Sequence, residues 1–306
     1  MRTLAELTCE LKALAERTVR DCTFQKSVEF SGKKERINLL LPSGDEKYAS
    51  FWVRDAAMMA QSGLVPDEDL KSYIEIIARA QNGEAERHLE NGLKIPPYAI
   101  ADHINYDGVA VFFPGVWGEG DNQGDGSLGF FPPFCDNYYF ILMVGAYVDQ
   151  SKNIAILQSE YLGLPLLKRL AYAFAGYNVD PASGLCVSDA AAYTVDWGFV
   201  DTIKKTGKLL TSSLLRYNAA RTLATLCEAL GESGKEYSDA AKRIKESILK
   251  TFFDEASGWF YSATGIGHQY DVWGTAYAVY SGITRNEKTL KALSDAYENG
   301  TAVSNG

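Results

Sequence analysis

What the chain has little of narrows its class first. Histidine is scarce: His88, His103 and His268 are the only three, and they are too scattered for a zinc site. The five cysteines (Cys9, Cys22, Cys135, Cys186, Cys227) are odd in number and widely spaced, so no CxxC redox pair or zinc knuckle exists. Buried free thiols in a reducing compartment are the expectation. No run of about 18 apolar residues occurs, so no membrane-spanning helix is predicted. Met1-Arg2-Thr3-Leu4-Ala5-Glu6 lacks the apolar stretch of a signal peptide, and a cytoplasmic location is the expectation. Positive charge is also in deficit. Net charge is −9, and an acidic domain is a poor match for a phosphate backbone, so nucleic acid is disfavoured as a partner.

Several motifs are missing as well. There is no GxSxG nucleophile elbow. Lys204-Lys205-Thr206-Gly207 lacks the preceding glycines of a phosphate loop. Asp121 to Gly126 resembles the start of a calcium loop, but Gln123 fills its third position and Pro132 stands where the bidentate Glu belongs. Neither a metal nor a cofactor is expected.

What is present is apolar and aromatic. Of 306 residues 46% are apolar, enough for a sizeable core, and 12% are aromatic, with 18 Tyr, 14 Phe and 5 Trp. Rings with polar tips suit a cleft that takes sugars, whose faces are part apolar and whose edges are hydroxyls. Helical periodicity dominates. Leu4, Leu7, Leu11, Leu14 and Thr18 mark a first helix over about residues 2–20. A polar turn around residues 30–34 separates short extended pieces, the second a brief strand or loop over Ile37 to Pro42. Further helices are predicted near 52–62, 67–81, 136–149, 152–175, 208–231, 235–253, 270–282 and 286–298, with residues 92–134 mostly loop. The short turn Gly231-Glu232-Ser233-Gly234 makes the helices on either side antiparallel neighbours. The domain reads as all-α, built of hairpins with long loops at one end, where binding residues tend to sit.

Four helix starts combine an acid with aromatic rings. Trp52-Val53-Arg54-Asp55 opens the second helix, and a carboxylate beside a guanidinium can grip adjacent hydroxyls of a pyranose. Asp136-Asn137 follows Pro132-Pro133-Phe134-Cys135, with Asp136 at the expected N-cap. Asp196-Trp197-Gly198-Phe199-Val200-Asp201 leads through Lys205 to a strongly apolar helix. Burial beside rings would raise a carboxyl pKa there, and a lysine would lower it. His268-Gln269-Tyr270-Asp271-Val272-Trp273 repeats the theme. One such site is routine capping; four exceed what capping needs.

The W-x-R-D motif (Trp52 to Asp55), the Asp136-Asn137 helix start and the stretch D-W-G-F-x-D-T-x-x-x-T-G from Asp196 to Gly207 resemble the six-hairpin glycosidases. Glucoamylase-like, glycogen-debranching-like and α-L-rhamnosidase-like domains belong to that group. The resemblance implies an (α/α)6 toroid and hydrolysis of a glycosidic bond in an oligo- or polysaccharide, with no cofactor. It implies that Arg54 and Asp55 hold hydroxyls of the cleaved sugar, and that the general acid lies between Asp196 and Asp201. Asp201 is preferred over Asp196, because Thr202 and the helix beyond fix it near the barrel mouth. Glucoamylases carry Glu in this role. Trp52, Asp136, Asn137, Trp197, Lys205, His268, Gln269, Asp271 and Trp273 complete the candidate sugar-binding set. Inversion would need a second carboxylate about 6.5–9.5 Å away to admit water, and in this group it sits in the final hairpins. Fewer than twelve helices are predicted, so residues 1–306 are expected to form a single domain that lacks its last hairpins and is inactive alone, or whose gap a partner chain covers. Uronic-acid hydrolysis, epimerisation, lyase chemistry and non-catalytic sugar binding are the alternatives.

Overall fold

The computed structural model describes residues 3–30, 33–41, 50–89, 92–113, 116–117, 121–122, 131–189, 194, 196 and 204–300. Among these residues there are nine α-helices: α1 (Leu4–Cys22), α2 (Val53–Ala60), α3 (Asp67–Ala80), α4 (Phe134–Ser151), α5 (Leu166–Ala175), α6 (Leu210–Ala229), α7 (Lys235–Phe252), α8 (Val272–Tyr280) and α9 (Glu287–Glu298). From α2 onward they alternate between two layers. The inner helices α2, α4, α6 and α8 pack each on the next. The outer helix α3 packs on α2 and α4, α5 on α4 and α6, α7 on α6, and α9 on α8.

The two layers follow from side-chain distribution. An inner helix has neighbours on all sides, so it must be apolar nearly all round. In α4 every residue from Phe134 to Val144 is buried. An outer helix needs only one apolar stripe: in α7, Ala240, Ala241, Ile244, Ile248 and Phe252 face inward. At roughly 1.5–3 kcal/mol for each large side chain withdrawn from water, the inner ring is the main source of stability. The antiparallel α6–α7 pair forms as its four-residue turn requires. No helix among the described residues is long and apolar enough to cross a membrane.

Three local expectations differ from the structure. The extended pieces after α1 form a regular antiparallel hairpin, β1 (Thr23–Phe30) with β2 (Lys33–Leu40), paired from Thr23↔Leu40 to Phe30↔Lys33. Val28, Leu39 and Leu40 are its buried anchors. The helix predicted over 152–175 breaks into a 3₁₀ turn at Ile154–Gln158, a tight turn, and α5. Leu162 and Gly163 both take positive φ (50° and 79°) between the paired residues Tyr161 and Leu164, a hairpin turn in place of helix. Pro165 then sets the start of α5. Finally, α1 buries only Val19, while Leu4, Leu11 and Leu14 of its apolar stripe are exposed. The thiols also divide: Cys135, Cys186 and Cys227 are buried as expected, Cys22 is half-buried and Cys9 exposed, and all five are free.

The inner ring is close-packed at its α4–α6 contact. A Cβ on Gly145 would lie 2.4 Å from Cγ2 of Thr222, a β-branched side chain with few rotamers open to it in a helix. Gly145→Ala is expected to lower stability by roughly 1–2 kcal/mol, overpacking outweighing the helix-propensity gain. Urea unfolding of both proteins checks this; a variant as stable as the parent shows that α4 and α6 can part freely.

Candidate active site

The first turn of α2 is seated by a small sheet. β3 (Ser50–Trp52) pairs with β4 (His103–Asn105), which pairs in turn with β5 (Ala110–Val111), all antiparallel. The register sets Trp52 opposite His103, and the Val53 N–H donates to the Asp102 carbonyl at 3.1 Å. Ser50 Oγ donates to Asn105 Oδ1 at 2.6 Å and locks the far end. Helix α2 therefore begins at a fixed point, with Arg54 and Asp55 half-buried in its first turn. The indole of Trp52 stacks on the His103 ring at 4.1 Å between centroids, 28° between planes. His103 Nδ1 lies 2.7 Å from Asp102 Oδ2, and both residues are buried.

Asp136 approaches the same place from α4. It is not the N-cap: Pro133 is, and Asp136 falls in the first turn. A proline's fixed φ is already close to helical, so the helix starts earlier than the acid. Its carboxyl is wholly buried, and Oδ2 makes no hydrogen bond. Burial pushes this carboxyl well above the usual carboxylate range, and Asp102 adds to the rise. Arg54 and the Cys135 thiol offset it in part, and Asp55 raises it further. Asn137 beside it is engaged with the frame: Oδ1 accepts from Ile100 N–H at 2.8 Å and Nδ2 donates to the Ala173 carbonyl at 3.1 Å.

The third acid arrives ahead of α6. Asp196 is buried and accepts from Lys205 Nζ at 2.9 Å through Oδ2, while its Oδ1 accepts from Ser212 Oγ. Lys205 also donates to the Asp196 carbonyl at 3.1 Å, so this lysine pins residue 196 by side chain and backbone together. Both carboxylate oxygens are thus committed, an arrangement suited to holding the segment in place. The buried Cys135 thiol, raised first by burial and next by Asp136, also feels Asp102 and Asp196, which puts the three acids in one neighbourhood. Trp197 and Asp201 lie outside the described residues.

Asp271 completes the ring of acids as N-cap of α8, accepting from Gly274 N–H at 2.8 Å. Burial raises its pKa. The Gly274 N–H lowers it, as does Lys205, while Asp196 raises it. Its companions point elsewhere. His268 and Gln269 are exposed, and His268 Nδ1 contacts the Ala263 carbonyl at 2.7 Å while its ring stacks on Tyr261 at 4.1 Å. Trp273 is 54% exposed. The structure therefore unites Trp52, Arg54, Asp55, Asp136, Asp196, Lys205 and Asp271, and sets His268, Gln269 and Trp273 toward the rim.

Asp102 is the member that sequence reasoning missed, and His103 entered only as one of three scattered histidines. An adjacent Asp-His pair in the aromatic loop was the available signal; the register that sets it beneath Trp52 is not written in any local pattern. Among the described residues no group of three side chains could hold a metal ion. A cavity of about 1320 Å³ opens at the other end of the inner helices, lined by Ala60, Ala146, Tyr217 and Tyr280 among others, and contains none of these acids.

The state of Asp136 has a measurable consequence. Its unfolded value is the ordinary 3.8 and its folded value is higher, so the stability it contributes is complete below about pH 4 and is lost as pH rises toward the folded value. Asp136→Asn keeps the site neutral at every pH. The melting temperature of this variant should gain steadily on the parent as pH rises from about 4 to 8. A gap that does not change with pH would mean that Asp136 titrates alike in both states.

No family model matches the chain, and no curated protein matches it. Solved structures do. A rhamnosidase from Klebsiella oxytoca with rhamnose bound superposes with TM-score 0.59 at 11% identity, over 94% of this chain and 47% of that one. The glucoamylase of Hormoconis resinae gives 0.57 at 12% identity, over 97% of this chain and 49% of the other. The cellobiose 2-epimerase of Bacillus thermoamylovorans gives 0.52 at 14%, over 98% and 71%. The chain spans about half the length of the rhamnosidase and the glucoamylase. At these identities the likeness is one of fold, and the fold is that of the (α/α)6 toroids of helical hairpins.

Proposed function

We propose that the chain is the catalytic domain of a glycoside hydrolase that cleaves its substrate with inversion, using two carboxyl groups. The observation that carries this reading is the convergence of Arg54, Asp55, Asp102 and Asp136 beside Trp52 where the inner helices begin. Sugars are neutral polyols with apolar faces. Their recognition needs paired donors and acceptors around an aromatic plane, and this end of the ring supplies them. The solved structures of like fold include a rhamnosidase, a glucoamylase and a sugar epimerase, which supports a carbohydrate as the substrate class.

In this reading Trp52, Arg54 and Asp55 hold the cleaved sugar. The general acid is Asp201, which lies outside the described residues. Asp196 is the weaker candidate because Lys205 and Ser212 already occupy it. Breaking a buried ion pair from one side typically costs about 3–5 kcal/mol, so Asp196→Asn acts first on stability. The acid protonates the leaving oxygen while a second carboxylate activates water on the opposite face. No described carboxylate is assigned as that base.

The test is a panel of aryl glycosides and oligosaccharides offered to the protein in its full-length, active form, with the anomer of the product followed by NMR. The expected outcome is hydrolysis with inversion. Asp201→Asn should lower turnover by at least about 10²-fold, as loss of a general acid does, with sugar affinity and melting temperature preserved. An epimerised or unsaturated product would overturn hydrolysis, and full activity in Asp201→Asn would remove that residue from the role.

A further inference from the structure

Sugar stacking asks an aromatic side chain for a fixed plane. An indole turns about two side-chain torsions, and a half-buried one keeps room to swing unless something holds it. Trp52 is half-buried. Beneath it lies His103, whose ring has no such freedom: it is fully buried, with Nδ1 2.7 Å from Asp102 Oδ2. Asp102 is fixed in its turn by its backbone, donating to the Val111 carbonyl at 2.9 Å and accepting from the Val53 N–H at 3.1 Å.

We propose that Asp102 and His103 are positioning residues for Trp52, fixing the indole plane on which a sugar ring stacks. The inference rests on the assignment of Trp52 to the sugar site made above. Two features favour it over a plain cross-strand contact. First, the Asp102 that orients His103 through its side chain also seats the first residue of α2 through its carbonyl, so the aromatic plane and the hydroxyl-gripping pair Arg54–Asp55 share one reference point. A sugar bound to both then meets groups whose separation is set by a single residue. Second, the two rings stack at 4.1 Å between centroids and 28° between planes, so the plane of the buried imidazole constrains the plane of the indole. A cross-strand aromatic pair by itself would steady the fold and add nothing to ligand affinity.

The experiment uses His103→Leu, which removes the ring, His103→Phe, which keeps a ring but loses the bond to Asp102, and Asp102→Asn, which keeps an acceptor for Nδ1–H. Two readouts are taken well below each variant's unfolding midpoint. One is the near-ultraviolet circular dichroism due to Trp52, obtained by difference from Trp52→Phe. The other is affinity for D-glucose and L-rhamnose by calorimetry. His103→Leu is expected to lose the Trp52 band and to weaken the sugar bound by the parent about tenfold or more, with His103→Phe intermediate. Asp102→Asn should stay within about threefold, as a retained hydrogen bond predicts. A folded His103→Leu with the parent's band and affinity overturns the proposal. Should that variant not fold, the same two results in His103→Phe overturn it. Should the parent bind neither sugar, the assignment of Trp52 to the sugar site is what fails, and the circular dichroism alone decides whether His103 orients the indole.

Discussion

The inner helices begin at one end of the ring, and each helix start carries a partial positive charge from its unpaired N–H groups. Collecting several of them in one place creates a field that carboxylates can offset, at about 0.3–1 kcal/mol each. Asp55 and Asp136 lie in first turns, Asp271 caps α8, and Asp196 bonds Ser212 near the start of α6. The solution creates its own difficulty, since the acids are then close enough to repel one another. Two cations, Arg54 and Lys205, and the high pKa of Asp136 resolve it. The surplus of acids at this end follows from helix geometry before any ligand is considered.

That constraint explains what could be read from the residues alone. An apolar period of 3.6 survives in the outer helices, and the strongly apolar inner segments differ enough from them that every described helix but one lies within a few residues of its predicted span. The exception, the stretch from residue 152 to 175, depends on two residues of positive φ, one of them Leu162, a residue type that rarely signals a turn. The hairpin over residues 23–40 was underestimated because its outward positions are charged and only Val28, Leu39 and Leu40 anchor it. The four acid-bearing helix starts were legible as a group. Their individual states were not. Whether a lysine or an aromatic surrounding governs Asp196 depends on which side Lys205 approaches from, and eight residues of chain separate the two.

The same reasoning separates structural from chemical acids. A general acid must offer a proton outward, whereas Asp196 accepts from Lys205 and Ser212, and Asp271 is occupied by its own helix start. Asp136 can keep a proton at higher pH than an ordinary carboxyl, but it is fully buried beneath Arg54 and Asp102, a place from which it tunes charge rather than meets a leaving group. Asp136, Asp196 and Asp271 therefore each have a task in holding the frame.

Charge and volume separate the two ends of the ring. The cavity of about 1320 Å³ lies among the C-terminal halves of the inner helices, where the partial charge is negative. Its neighbourhood is answered by cations: Lys245 donates to the Gly282 carbonyl at 2.7 Å, and Arg221 lies 3.5 Å from that of Ser281. Its acids are of another kind from those at the helix starts, for Asp149 is exposed and paired with Lys152 at the surface. Such groups keep ordinary solvation and gain little reactivity. At the opposite end, carboxyls are withdrawn from water, set against one another and held around an indole whose orientation is fixed from below. Turning the helices the other way would exchange these properties. The direction of the inner helices thus decides at which mouth of the ring the buried carboxyls gather.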